Sequence, residues 1–349
     1  MTNQAGLALD ARLRAVVGPI ARFGMACWRG WSGQSAHERS RLDGTCAAIL
    51  MYHRVLPRDE AERLRVEPGM FVTPRTFGRH LDWLAKEFKV LPLHEIVSRL
   101  ESDGALPKHA CAVTFDDGWL DNAHHALPAL AARGLPATIF VVTDRVGTRG
   151  GFWPDEICRR LAPLTGPGRR AVLRQAGLEL ADDATDTALS ALKLLQEHDR
   201  PNHLEAIRRG TTDPDGEMRE LLDWDELARL AESGIEIESH AASHAILTGV
   251  TREVAASELA RSLATLRLRG HARHALLAYP SGGFDAGVVE LAREAGYRAA
   301  FTTQVGLTNA TDDPHARPRI AVHEDISRTR AEFLRWVPGP ALRSGRGAS

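Results

Sequence analysis

From Cys46 onward the chain alternates short apolar runs with longer amphipathic stretches, and this alternation constrains its fold more than any other feature. The runs fall at Ala47–Tyr52, Ala112–Phe115, Thr138–Val142, Ile235–Glu238, Ala275–Ala278, Ala299–Thr302 and Ile320–Val322. Each has the length of a strand. Helical patterns lie between them, at Pro74–Phe88, Asn122–Arg133, Arg252–Leu268 and Gly287–Ala295. Strand–helix alternation predicts parallel strands joined by right-handed crossovers, in either an open doubly wound sheet or a barrel.

One stretch breaks the rhythm. Residues 150–222 contain no convincing strand, but helical patterns occur at Ala171–Leu180 and Thr187–Glu197. Turn signals at Gly166-Pro167-Gly168 and Asp213-Pro214-Asp215-Gly216 bracket them. This reads as a helical insertion over one mouth of an α/β domain spanning 46–337. Residues 1–45 read as a helical or flexible extension and 338–349, rich in Gly, Arg and Ser, as a disordered tail.

The net charge of -1 gives no electrostatic case for nucleic acid, which is not expected as a partner, although it leaves room for a local basic face. Cys27, Cys46, Cys111 and Cys158 form no CxxC pair, which argues against a zinc ribbon or a disulfide framework and favours a reducing compartment. Cys111 reads as a small buried hydrophobe. No apolar run approaches the roughly 20 residues that cross a bilayer. Arg12, Arg14, Arg22 and Arg29 interrupt the apolar positions of the N-terminus, where the uncharged stretch Ala15–Ala21 is short for a signal-peptide core. The expected location is cytoplasmic, with weak membrane-surface association of that basic segment as the alternative.

Chemistry concentrates where apolar runs stop. Ala112-Val-Thr-Phe-Asp116-Asp117-Gly118 ends a buried strand in two carboxylates, which are costly unless a metal or a cation answers them. A helix cap is the plain alternative, but a cap needs one acid. Ile235-Glu-Ile-Glu-Ser-His240-Ala-Ala-Ser-His244 ends another strand in two histidines, four residues apart. With 15 histidines in the chain, about half such a pair arises by chance, so the spacing gains its weight from position. Leu276-Leu-Ala-Tyr279-Pro280-Ser281-Gly282 ends a third run in a turn, and Ile49-Leu-Met-Tyr52-His53 ends the first in a histidine. Parallel α/β folds assemble active sites at the carboxyl ends of their strands. One Asp and two His form a three-ligand set with an open position, the arrangement of catalytic metal sites.

These segments resemble the polysaccharide deacetylase (NodB-homology) family. Thr114-Phe-Asp-Asp-Gly118 is similar to its first motif, His240-Ala-Ala-Ser-His244 to its His-Ser/Thr-x-x-His motif, and Tyr279-Pro-Ser-Gly282 to its Tyr-Pro-x-Gly loop. The likeness extends through Leu127-Pro-Ala-Leu, Gly134-Leu-Pro-Ala-Thr-Ile-Phe-Val141 and Trp224-Asp-Glu-Leu, covering residues 46–323 outside the insertion. The resemblance implies a distorted (β/α) barrel that removes N-acetyl groups from glucosamine-containing carbohydrate with a divalent metal, zinc fitting the ligand set. It implies Asp116 as base and Asp117, His240 and His244 as metal ligands.

Met51-Tyr-His-Arg-Val55 is nearest in motif order to the poly-N-acetylglucosamine deacetylases, which implies His53 as general acid. The second candidate is His323, because Ile320-Ala-Val-His323 is offset by one residue from the family's Leu-x-His. Ala241 stands where the family has Ser or Thr, implying weaker support behind the ligands. Tyr279, Pro280, Ser281 and Gly282 are expected around the oxyanion, with the Ser281 N–H as donor. Trp153 and Asp155, at the start of the insertion, are expected to touch sugar, with Trp224 and Phe284 as further stacking candidates. A deformylase or an O-acetyl esterase would use the same residues. A silent carbohydrate-binding protein would not need to keep them.

Overall fold

A computed structural model describes residues 42–337 apart from 68, 103, 104, 196 and 198. Most of the proposed extension, residues 1–41, and the proposed tail from 338 therefore lie outside the described residues, as does the basic N-terminal segment. Seven strands run parallel in chain order: Cys46–Tyr52, Ala110–Phe115, Thr138–Val141, Glu236–Ser239, Leu276–Ala278, Ala299–Val305 and Arg317–Ala321. We number them first to seventh. The first pairs with the second, from Ala48 opposite Cys111 to Tyr52 opposite Phe115, and also with the seventh, Leu50 opposite Ile320. That double pairing closes a barrel and removes the open-sheet alternative. All seven correspond to apolar runs of the sequence. The short strands Lys89–Val90 and Thr308–Asn309, which lack such a run, add to the outside of the barrel wall.

The two faces of each strand bury against different material, as a period of two requires. Ala47, Ile49, Ala112, Phe140, Ala278 and Phe301 fill the barrel. Leu93, Ile96, Val97 and Leu100 of the helix Leu93–Glu101 join that interior cluster and plug the amino-terminal mouth. Ala48, Leu50, Val113 and Ile237 point outward against surrounding helices. Thr73 caps the helix Pro74–Glu87 by accepting from the Thr76 N–H, and Phe77, Leu81 and Leu84 follow at helical spacing on its buried face. Cys111 is fully buried in the second strand, and burial pushes its thiol well above the ordinary range.

Three expectations about the elements need correction. Asn122–Arg133 is not one regular helix: Asn122–Ala126 is π-helical and only Leu127–Ala131 is α-helical. Pro128 has no N–H to return to the preceding turn, which favours such an irregularity. The insertion contains four helices rather than two, Trp153–Leu161, Gly166–Gln175, Thr185–Leu194 and Arg200–Arg209, around a separate core that includes Ile157, Leu161, Leu173, Leu189 and Ile207. Gly166-Pro167-Gly168 opens a helix instead of closing a turn. Thr165 caps it through the Gly168 N–H, and Pro167 sits in its first turn, where no N–H is needed. Among the described residues no helix is long and apolar enough to cross a membrane.

Candidate active site

The carboxyl-terminal mouth of the barrel opens into a cavity of about 470 Å³. His53 enters it from the end of the first strand, Asp116 and Asp117 from the second, His240 and His244 from the fourth, and Ser281 from the fifth. The insertion forms the facing wall with Phe152, Trp153, Asp155, Lys193 and Glu197.

Asp117 and the two histidines converge. Asp117 Oδ1 lies 3.4 Å from Nε2 of His240 and 3.4 Å from Nε2 of His244. Its other oxygen accepts the Trp119 indole N–H at 2.9 Å, which fixes the carboxylate plane. His240 Nδ1 lies 2.8 Å from the Ala278 carbonyl, an atom that only accepts, so Nδ1 carries a proton and Nε2 is the nitrogen left facing the cavity. That is the outer hydrogen bond usual for a metal-binding histidine. One ligand atom from each of the three residues lies within 4.8 Å of the others, and the set fits a divalent ion. Burial favours the neutral carboxyl, but contacts from His240 and His244 hold Asp117 well below the usual carboxylate range.

The local backbone is strained to achieve this. Asp117, Ala241, His244 and Ser281 all have left-handed φ, at +78°, +60°, +70° and +53°. Such conformations cost about 1–3 kcal/mol each for non-glycine residues and persist where surroundings over-determine them. Here Glu258 accepts the N–H groups of Ala242 and Ser243 at 3.1 and 2.7 Å, and Ser239 Oγ accepts that of Ala241. The support that Ala241 itself does not offer thus comes from Glu258 and Ser239.

Asp116 has a different partner, which the sequence did not announce. Arg319, wholly buried inside the barrel, donates to both Asp116 oxygens at 2.7 Å. Burial alone would raise the Asp116 pKa, but the guanidinium lowers it below the ordinary value. Arg319 also donates to the Thr302 carbonyl at 3.1 Å and lies over the Phe140 ring. The available signal was an arginine just before the last apolar run, with an aspartate pair in the same sequence to neutralise it. Thr303 of the sixth strand, Ile246 and Met70 also line the cavity without having been anticipated.

The two histidine candidates occupy different places. His53 lines the cavity, and the Asn122 side chain, positioned by the π-helical turn, donates to its carbonyl at 2.9 Å. Burial lowers its imidazole pKa, while the charges of Asp117 and Asp116 oppose that shift. His323 is outside the cavity lining, with Nδ1 3.5 Å from Asp325. Tyr279 is a correction: it is fully buried and its hydroxyl donates to the His315 carbonyl at 2.9 Å, so it braces the loop rather than meeting substrate. Pro280 and Gly282 likewise shape the turn without lining the cavity. A Cβ on Gly282, at φ +69°, would meet Thr303 Oγ1 at 2.0 Å. Trp224 stacks on His271 and Phe284 on Tyr279, both away from the cavity.

Asp155 and Trp153 do reach the cavity. Asp155 accepts the Glu67 N–H at 3.1 Å, and burial raises its pKa to about 6. Arg200 covers the Trp153 ring at 5.3 Å.

Fold and site together define a (β/α)-barrel hydrolase. The chain belongs to the polysaccharide deacetylase family, whose model matches residues 103–300. It is accordingly an enzyme acting on carbon–nitrogen bonds of non-peptide amides. YxkH of Bacillus subtilis, which carries the polysaccharide deacetylase name, is 23% identical over 280 residues, 80% of this chain and 72% of the relative. A poly-beta-1,6-N-acetyl-D-glucosamine N-deacetylase of Staphylococcus epidermidis is 28% identical over 127 residues, which are 34% of this chain and 44% of the relative. The deacetylase PplD of Streptococcus pyogenes shares the fold with a TM-score of 0.56 at 18% identity, over 84% of this chain and 98% of that one. IcaB of Ammonifex degensii gives 0.56 at 20% identity over the same shares.

Proposed function

We infer that the chain removes N-acetyl groups from a β-linked N-acetylglucosamine polymer or a related glycan in exopolysaccharide metabolism, using one divalent metal. The observation that carries this reading is the convergence of Asp117, His240 and His244 beside a separately held carboxylate, Asp116, and a histidine, His53, in one cavity. Asp117, His240 and His244 would hold the ion, which supplies Lewis-acid polarisation of the amide carbonyl and a more acidic water. Asp116, kept ionised and oriented by both nitrogens of Arg319, takes the proton of the attacking water. The Ser281 N–H stabilises the oxyanion, a contribution of about 3 kcal/mol for one donor. His53 protonates the departing amine; burial lowers its pKa, which makes the imidazolium a stronger acid, while the charges of Asp117 and Asp116 oppose that shift. Trp153 and Asp155 on the insertion hold the sugar.

The test is a mass-spectrometric screen of N-acetylated, N-formylated and O-acetylated oligosaccharides with metal-loaded protein. Loss of acetyl from the amide substrates is expected. Preferential loss from formamides or esters would replace this reading with deformylase or esterase activity.

The insertion yields a separate prediction. Trp153→Ala removes an aromatic wall remote from the reacting atoms, so KM for oligosaccharide should rise by roughly 10-fold with little change in kcat. An unchanged KM would make Trp153 a packing residue only.

A further inference from the structure

We propose a second divalent-cation site at the opposite end of the barrel, made by His94, Glu236 and His274. Among the described residues only two groups of three bring their ligand atoms within 4.8 Å of one another, and this is the one outside the active site. Its members come from three separate elements. His94 is in the first turn of the helix that plugs the barrel, Glu236 opens the fourth strand, and His274 lies in the loop before the fifth. All three are partly buried and line a cavity of about 220 Å³, which gives an ion a route in.

The surroundings present these groups as ligands. Glu236 takes a hydrogen bond from His94 Nδ1 through one oxygen and from Thr138 Oγ1, at 2.7 Å, through the other, so its carboxylate is oriented. The His274 backbone is fixed because buried Glu238 accepts its N–H at 3.1 Å and that of Leu276 at 2.8 Å. The imidazoles of His94 and His274 stack face to face, with centroids 4.0 Å apart and planes 5° apart. Stacked in this way the two rings make no hydrogen bond to each other, whereas a cation joins them through their nitrogens. Binding requires the rings to turn about Cβ–Cγ, which the 36% exposure of the His94 side chain permits. Arg298, the nearby cation just before the sixth strand, is already paired with Glu101 at 2.8 Å, while Arg273 lies on the cavity wall.

Two imidazoles and a carboxylate suit zinc, cobalt or nickel, not the all-oxygen preference of calcium or magnesium. An ion here ties the plug helix to the fourth strand and to the loop that leads into the fifth. The fourth strand then carries a ligand at each end, with Glu236 and His240 separated by roughly 13 Å at about 3.3 Å per residue.

The test is zinc binding to metal-stripped full-length protein, measured by equilibrium dialysis with elemental analysis and by thermal melting. Wild type should bind one more equivalent than His94→Ala/His274→Ala. His240→Ala, with the active-site set broken, should keep the lower equivalent and gain melting temperature with zinc. His240→Ala/Glu236→Gln should lose both responses, and this milder pairing serves if the double-histidine variant does not fold. Equal zinc binding and equal melting shifts in His240→Ala and His240→Ala/Glu236→Gln would overturn the proposal and leave the cluster as a hydrogen-bonded clasp.

Discussion

Replacing Asp116 with Asn should reduce amide turnover by about 100- to 10,000-fold while metal content stays close to that of wild type. The reason is the division of labour between adjacent carboxylates. Asp117 faces His240 and His244, whereas Asp116 is turned to Arg319 and holds no histidine nitrogen at ligand distance. Asn accepts a hydrogen bond from Arg319 but cannot take a proton from water. It also leaves a buried guanidinium without a counter-charge, and breaking such a pair costs about 3–5 kcal/mol. The melting temperature should therefore fall as well, and turnover must be expressed per folded, metal-loaded molecule. If activity falls only in proportion to lost metal, Asp116 is a ligand and the two aspartates exchange roles.

His53→Ala should lower turnover of an amide by a comparable factor, about 100- to 10,000-fold, because an amine leaves poorly without a proton. An activated aryl ester needs little protonation of its leaving group and should suffer far less. His323→Ala should show no such selectivity, since His323 sits against Asp325 and outside the cavity that His53 lines. The reverse pattern would move the acid to the end of the seventh strand.

Much of this architecture was legible because its signals are local and periodic. The first, second and fourth strands are apolar runs followed directly by polar residues, and those ends converge, so Asp116, Asp117, His240, His244 and His53 could be read before the fold was known. What escaped depends on contacts distant in sequence. Arg319 acts on Asp116 across 203 positions, and its place just before an apolar run does not say which carboxylate it meets. Tyr279 was misplaced because its strand-end position does not reveal which way the ring turns. The His315 carbonyl that receives its hydroxyl lies 36 residues away. The helices Trp153–Leu161 and Arg200–Arg209 were missed because each is short and strongly charged, and their apolar faces find partners only in one another's company.

The central claim is that a metal held by Asp117, His240 and His244 drives amide hydrolysis, and the most direct measurement is acetate release from N-acetylglucosamine oligomers before and after chelation. Turnover should vanish when metal is stripped and return on adding zinc, whereas His240→Ala should remain inactive under both conditions although folded. Wild-type acetate release that persists at background metal content, or His240→Ala turnover equal to that of wild type, would contradict the account.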